Sequence, residues 1–440
     1  MPLFGRKNSA PPESSVIERP ALPEPPAPQA DGLRSMEDHR AYLLSCIEEL
    51  PPFPQQILDV LDLSISEDIV AGISLPGFDN SAMDGYAVHA VDVGDAAQHA
   101  PVSLPVVGEV AAGQSSAHRL PPGTAMKIMT GAPIPPGANA IVPYENTNRG
   151  VDDVLVYAPS VEGQHIRRRG EDVAEGKQVF VAGDTLGPRD VGLLAAIGLD
   201  KVLVRPRPRV VVISTGSELV EPGLELNSDE QIYDSNSYML AAAARAAGAQ
   251  VYRVGLVSDD PEAVKQLIND QLVRADLILT TGGVSQGDYD IIKAVMPELG
   301  ATDFAQVAMQ PGKPQGFGLI GSQQVPIIML PGNPVSAFVS FEAFARPAIR
   351  KLMGNTPYVR TPVPCTALHA ITSIPGRKQM ARGIVRRAAD GSRQVELAGG
   401  HGSHLLGDLA RANALVILSE DTDFVASGET VDVWLLDQEQ

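Results

Sequence analysis

Three short apolar runs in the second half of the chain, each leading straight into a polar loop, constrain the fold more than anything else in it. Val210-Val211-Val212-Ile213 leads into Ser214-Thr215-Gly216-Ser217-Glu218-Leu219, Leu277-Ile278-Leu279 into Thr280-Thr281-Gly282-Gly283-Val284-Ser285, and Ile327 to Leu330 into Pro331-Gly332-Asn333-Pro334-Val335-Ser336. The runs are continuous, without apolar/polar alternation, as in strands covered on both faces. Helical patterns lie between them, at about 236–247, 261–272 and from 335, with another strand at 251–257. Alternating strands and helices predict a mostly parallel sheet in a three-layer α/β domain, assigned to residues 207–356. Ligands of such sheets bind beyond the carboxyl ends of the strands, so the polar loops are the first candidates for a site.

At 440 residues the chain needs more than one core. Residues 1–34, rich in Pro, Ala, Ser and Glu, read as a disordered tail. Ser35-Met36-Glu37-Asp38 offers a helix cap, and Ala41, Leu43, Leu44, Ile47 and Leu50 follow at helical spacing. This segment, 35–74, is grouped with 165–206, which carries a helical pattern from Asp190 to Ile197, as a helical, elongated linking domain. Residues 75–164 are dense in Pro and Gly, with β-branched runs such as Val102 to Val107 and Ala140-Ile141-Val142, and read as an inserted small β domain. Residues 357–440 read as a C-terminal β-barrel domain.

A formal net charge of −19 argues against nonspecific binding to nucleic acid or anionic membranes. No apolar run reaches the roughly 18 residues of a membrane span, and no apolar segment follows Arg6 and Lys7 as in a secretory signal. The expected location is the cytoplasm. Cys46 and Cys365 have no CxxC spacing and read as free thiols in a reducing compartment.

Polar residues that packing does not explain cluster in a few places. The stretch from Pro76 to Val88 sets Asp79, Asn80, Ser81 and Asp84 on a loop between apolar runs. A turn with solvated aspartates and a functional loop are both compatible with it. Gly282 and Gly283 leave backbone N–H groups open to an anion, Ser285 adds a hydroxyl, and Asp288 suits Mg²⁺ held against a phosphate. Lys313, in Pro311-Gly312-Lys313-Pro314, is one ammonium on a stiff loop, suited to phosphate or oxyanion contact. Arg167-Arg168-Arg169-Gly170-Glu171-Asp172 mixes cations with acids, and Thr130 closes a Thr-Gly turn. His401 and His404 sit in a Gly-rich loop; no HExxH, Walker A or GxSxG pattern occurs.

In chain order these motifs resemble the molybdopterin molybdenumtransferase (molybdenum insertase) family, which includes the catalytic domain of gephyrin. The resemblance runs from about residue 35 to the end. It rests on the Asp79 to Val88 stretch, Thr130-Gly131-Ala132-Pro133, Arg169-Gly170-Glu171-Asp172, Ser214 to Leu219, Tyr233-Asp234-Ser235-Asn236, Gly282 to Asp288, Pro311-Gly312-Lys313-Pro314, Leu330 to Pro334, Gly376-Arg377 through Arg382-Gly383, and Gly402-Ser403-His404. One departure is Gln310, where many relatives carry Lys.

The resemblance implies a homodimer with active clefts between subunits, and a Mg²⁺-dependent reaction of adenylylated molybdopterin with molybdate that yields molybdenum cofactor and AMP. Asp79, Asp84, Thr130, Asp172 and Glu218 become the candidates for chemistry, with Glu218 and Asp288 towards the metal. Ser81, Asp234, Ser235, Asn236, Gly282, Gly283, Ser285, Lys313, Asn333 and Ser403 become candidates for binding the pterin substrate. Arg167, Arg169, Arg377 and Arg382 are the candidate oxyanion contacts. Expected partners include a molybdopterin adenylyltransferase and recipient molybdoenzymes. Two alternatives stand beside this reading: an adenylyltransferase that releases pyrophosphate from ATP, and a non-catalytic molybdopterin-binding scaffold.

Overall fold

A computed structural model describes residues 22–111, 113, 118–257, 260–282 and 291–437. The chain divides into two compact units, one of residues 53–204 and one combining the residues up to 52 with those from 205 onward.

The unit of residues 53–204 is built on a five-stranded sheet. Its strands are β1 (Gly85–Val88), β2 (Val102–Val110), β3 (Ala125–Ile128), β4 (Ala140–Pro143) and β5 (Asp153–Val156), in the order β4-β1-β3-β2-β5. Strand β1 is buried on both faces: Tyr86 and Val88 enter one apolar cluster and Ala87 the other. That explains why the sequence from Gly85 shows no alternation. A Cβ at Gly85 would lie 2.0 Å from the Val142 carbonyl oxygen, so only glycine lets the loop enter the sheet here. Short antiparallel pairings join 53–56 to 201–204 and 69–70 to 178–180, beside the helix Pro188–Ala196.

The other unit opens with helix α1 (Met36–Ser45), whose cap Ser35 accepts a hydrogen bond from the Asp38 N–H, as the sequence predicts. The helical spacing through Leu50 overshoots. The helix stops at Ser45, where the hydroxyl bonds the Tyr42 carbonyl, and the Leu50 N–H pairs instead with the Leu352 carbonyl. Helix α1 packs on the 341–352 stretch: His39 meets Phe344 edge-on at 5.0 Å, and Lys351 Nζ donates to the Leu44 carbonyl at 2.6 Å.

The central sheet contains β6 (Arg209–Thr215), β7 (Gln250–Val257), β8 (Leu277–Thr281), β9 (Gly300–Gln306), β10 (Pro314–Ile320) and β11 (Val325–Leu330), in the order β7-β6-β8-β11-β10-β9. The first four in that order are parallel; β10 is reversed, pairing antiparallel with both β11 and β9. Strands β8 and β11 are buried along their whole length, as continuous apolar runs require. Helices α2 (Asn236–Ala246), α3 (Pro261–Leu272), α4 (Ile291–Leu299), α5 (Pro334–Ser340) and α6 (Arg346–Leu352) complete the α/β part. The last strands are β12 (Val363–Ala367), β13 (Lys378–Arg387), β14 (Arg393–Leu397), β15 (Ala414–Leu418) and β16 (Thr430–Leu435). They pair as β13-β14-β12-β16-β15, and β15 returns to β13, closing a five-stranded barrel around Val395, Val416 and Val433.

The reversed direction of β10 has a functional effect. Gly316 lies opposite Met329, so the start of β10 sits beside the carboxyl end of β11. Lys313, immediately before β10, therefore reaches the same sheet edge as the loops after β6, β8 and β11.

Candidate functional site

Each unit brings together its own group of candidate residues. In the unit of residues 53–204, the Asp79–Asp84 loop is anchored by Asn80 and Ser81, which pair with Arg167 and Ile166. Both anchors are buried. The Ser81 hydroxyl turns inward and donates to the Met83 carbonyl at 2.5 Å, so it holds the loop rather than facing outward.

The two aspartates of the loop differ. Both Asp79 oxygens are occupied, Oδ1 by the Arg169 N–H at 2.8 Å and Oδ2 by Arg168 Nη1 at 2.7 Å. These bonds hold its carboxyl below the usual carboxylate range, the Arg169 backbone bond most and the Arg168 side chain next. Asp84 is exposed, and its Oδ1 alone accepts two bonds, from the Thr130 N–H at 2.7 Å and the Thr130 hydroxyl at 2.8 Å. The Thr130 backbone and hydroxyl bonds, in that order, hold the Asp84 carboxyl low. Among the described residues its Oδ2 has no partner. Asp172 is exposed, with no side-chain hydrogen bond among them.

Of the three arginines, Arg168 clasps Asp79, Arg169 pairs with Glu175 at 2.8 Å, and Arg167 has no ion-pair partner among the described residues. The sequence singles out Arg167 and Arg169 and passes over Arg168. Three identical residues in a row carry no signal of which one turns towards the loop.

In the other unit the strand-end loops meet. A Cβ at Gly332 would lie 3.6 Å from Gly282 Cα, so the loops after β8 and β11 touch. Asn236, on the first turn of α2, ties them: its Nδ2 donates to Thr281 Oγ1 at 3.0 Å and to the Gly332 carbonyl at 2.6 Å. Among the described residues its buried Oδ1 has no hydrogen-bond partner. Ser235 caps this helix without a side-chain bond. Asp234 is almost wholly buried and bonded at both oxygens, accepting from Ser214 Oγ, the Ser237 N–H and Ser237 Oγ, with Arg253 Nη1 3.8 Å from Oδ2. Its carboxylate braces α2 against β6.

Glu218 is exposed and folds back over Gly216, where a Cβ would lie 2.6 Å from its Oε2. Lys313 is half-buried with no ion-pair partner among the described residues. Gly312, at φ +100, holds the turn before it, and a Cβ there would lie 2.7 Å from Ser340 Oγ. Gly283, Ser285 and Asp288 lie outside the described residues.

A third set gathers where this edge meets the barrel. The Val335 N–H donates to the Ser403 carbonyl at 3.0 Å, joining the loop after exposed Asn333 to the 400–405 loop. Arg382, nearly buried, donates to the carbonyls of Gly400, Gly402 and Leu405 and so shapes that loop. Gln310, Gln379, Arg382 and His401 line a cavity of about 50 Å³. Gln310 accepts a long bond, 3.4 Å, from Arg377 Nη1.

Three family models match along the chain: MoeA N-terminal region (domain I and II) over residues 34–198, a probable molybdopterin binding domain over 211–351, and MoeA C-terminal region (domain IV) over 365–436. Molybdopterin molybdenumtransferase 2 of Mycobacterium tuberculosis is 44% identical over 408 residues, 91% of this chain and 99% of the relative. Molybdopterin molybdenumtransferase of Haemophilus influenzae is 35% identical over 394 residues, 88% of this chain and 95% of the relative. The crystal structure of the molybdopterin biosynthesis moeA protein of Pyrococcus horikoshii OT3 superposes with a TM-score of 0.77 at 30% identity, covering 92% of this chain and all of that one.

Proposed function

The chain belongs to the MoeA family of molybdopterin molybdenumtransferases, and from that premise we propose that it inserts molybdate into adenylylated molybdopterin, with Mg²⁺, and releases AMP. It is a transferase of molybdenum cofactor biosynthesis. The observation that carries the finer reading is the state of Asp84: an exposed, ionised carboxylate, fixed at one oxygen by Thr130 and open at the other.

A carboxylate held low is a weak base but a well-defined acceptor. Asp84 Oδ2 accepts a hydrogen bond from a water and orients it towards the adenylyl phosphorus; the new P–O bond forms as the bond to the pterin phosphate oxygen breaks, AMP and the pterin phosphate separate, and the water's proton passes to solvent. Thr130 keeps the carboxylate from turning away. Asp172 adds a second exposed carboxylate. Lys313, lacking a counter-ion, binds the phosphate end of the pterin. Asn236 keeps the Gly282 and Gly332 loops in contact, so their backbone stays close to that anion. Arg377 is the better oxyanion contact for molybdate, because the Arg382 donors are taken up by the 400–405 loop. The substrate's own dithiolene sulfurs ligate molybdenum, so the protein needs no cysteine cluster.

Mg²⁺ fits the residues present. Such an ion takes one or two carboxylates and completes its shell with phosphate and water. The Glu218 carboxylate, exposed and without a side-chain hydrogen bond among the described residues, would hold it, with Asp288 as the second candidate ligand. When bound it neutralises charge on the phosphate oxygens.

Membership of the family supports a homodimer as the acting assembly, with active clefts between subunits. The product then passes to recipient molybdoenzymes, and the substrate comes from an adenylyltransferase. The test is purified protein with adenylylated molybdopterin, Mg²⁺ and molybdate, scored for AMP and active cofactor. Pyrophosphate release from ATP without AMP formation would replace this reading with the adenylyltransferase one. Arg377→Ala should raise the molybdate requirement about tenfold with little change in pterin affinity; the reverse pattern would remove Arg377 from the molybdate site.

A further inference from the structure

Away from these residues, helix α6, the segment leading into the barrel and strand β14 enclose a depression of about 400 Å³. Four arginines line it, Arg346, Arg350, Arg360 and Arg393, and no lining residue is acidic. The carboxylate that meets Arg346 and Arg360 is Glu342, buried behind them, 2.7 Å from Arg360 Nε and 3.9 Å from Arg346 Nε. Backbone carbonyls take other donors: Pro357 from Arg350 Nε at 2.8 Å, Leu435 from Arg360 Nη1 at 2.7 Å and Tyr358 from Arg346 Nη1 at 3.4 Å.

Structural arginines are ordinarily balanced by carboxylates. Here three cations, Arg346, Arg350 and Arg360, face one carboxylate among the described residues, in a chain of net charge −19, so the excess does not follow from basic composition. The crowding is felt at the guanidinium groups. Burial, and then the charge of Arg360, lowers Arg346 to about 10, and the same two causes lower Arg350. An anion in the depression would relieve both. Guanidinium forks at several angles suit the oxygens of a phosphoryl or carboxylate group. Pro357, Val359 and Leu435 supply an apolar wall beside them.

We propose that this depression is a second ligand site, binding a small molecule with an oxyanion head, phosphoryl or carboxylate, on an apolar body. The site shares no residue with the proposed insertion chemistry and stands independently of it.

The experiment is calorimetric titration of the full chain with pyrophosphate, and in parallel with citrate, at low ionic strength. Lys313→Ala serves as the background that removes the phosphate contact of the other site. Binding of either probe should survive Lys313→Ala, weaken about tenfold or more in Arg350→Gln, and fall as salt is raised. The ratio of the two probes identifies the head group. Arg350→Gln leaves the buried Glu342 pair intact, and an unchanged thermal midpoint checks that the fold is kept. Absence of binding of both probes at millimolar concentration, loss of binding in Lys313→Ala, or unchanged binding in Arg350→Gln would each overturn the proposal.

Discussion

Asp84 and Asp234 are both aspartates in short polar motifs, and both read from the sequence as site residues. The fold treats them in opposite ways. Asp234 lies nearly buried at the start of α2, with each oxygen occupied by a serine or a backbone N–H. Asp84 lies exposed on a loop of the β domain, with one oxygen held twice and the other open. A buried carboxylate bonded at both oxygens stabilises the protein by satisfying its neighbours, and its burial keeps it from solvent and from an approaching substrate. A carboxylate pinned at one oxygen is oriented and still available. The contrast supports a structural role for one and the proposed chemical role for the other.

The largest effect should come from Asp84→Asn. Turnover measured as AMP release should fall about 10²–10⁴-fold, while the unfolding midpoint and pterin affinity stay near wild type. Wild-type turnover in this variant would break the comparison. Asp234→Asn should do the reverse. Its three donors lose a charged acceptor, so denaturant unfolding should show a loss of about 2–4 kcal/mol, with turnover per folded molecule nearly unchanged. Lost turnover at unchanged stability would mean that Asp234 meets a ligand after all.

Thr130→Val sharpens the contrast from the other side. It removes the hydroxyl bond to Asp84 and leaves the backbone one, so the Asp84 carboxyl should rise towards its ordinary value of 3.8. The acid limb of the pH–rate profile should shift upward, and the rate should fall about tenfold. The sign for stability is the same. A carboxyl lowered by folding stabilises the native state above 3.8 and loses that contribution as pH falls through its lower folded value, so the variant should be less acid-sensitive. Arg168→Ala should matter least. Its pair with Asp79 is exposed and the Arg169 N–H remains, so less than about 1 kcal/mol of stability should be lost, and less still in high salt. A collapse of turnover here would move Asp79 from the clasp to the chemistry.

Those assignments also mark how far the sequence could be read. A continuous apolar run ending at Pro331-Gly332 located β11, which spans Val325–Leu330, and the helical pattern after Asp260 located α3 at Pro261–Leu272 to the residue. Both signals are local, and so is the Ser35 cap. The end of α1 was not local, because it depends on Leu352, three hundred residues away in sequence. The same limit applies in the site. Sequence motifs named Ser81 and Asp234 alongside Asp84, since composition does not tell a saturated hydroxyl or carboxylate from an open one. Arg168 had nothing to separate it from its neighbours. Lys313 was legible as a cation on a stiff loop, but its arrival at the sheet edge follows from the antiparallel direction of β10, which only pairing reveals.

The docking of α1 on residues 341–352 sets an order of events during synthesis. A ten-residue helix is too short to persist alone in water, and this one packs against residues 341–352, made far later. The intervening unit, residues 53–204, depends on no such distant partner for its own sheet. It can therefore be complete while the first helix of the chain still waits, exposed, for the ribosome to deliver the segment that will hold it.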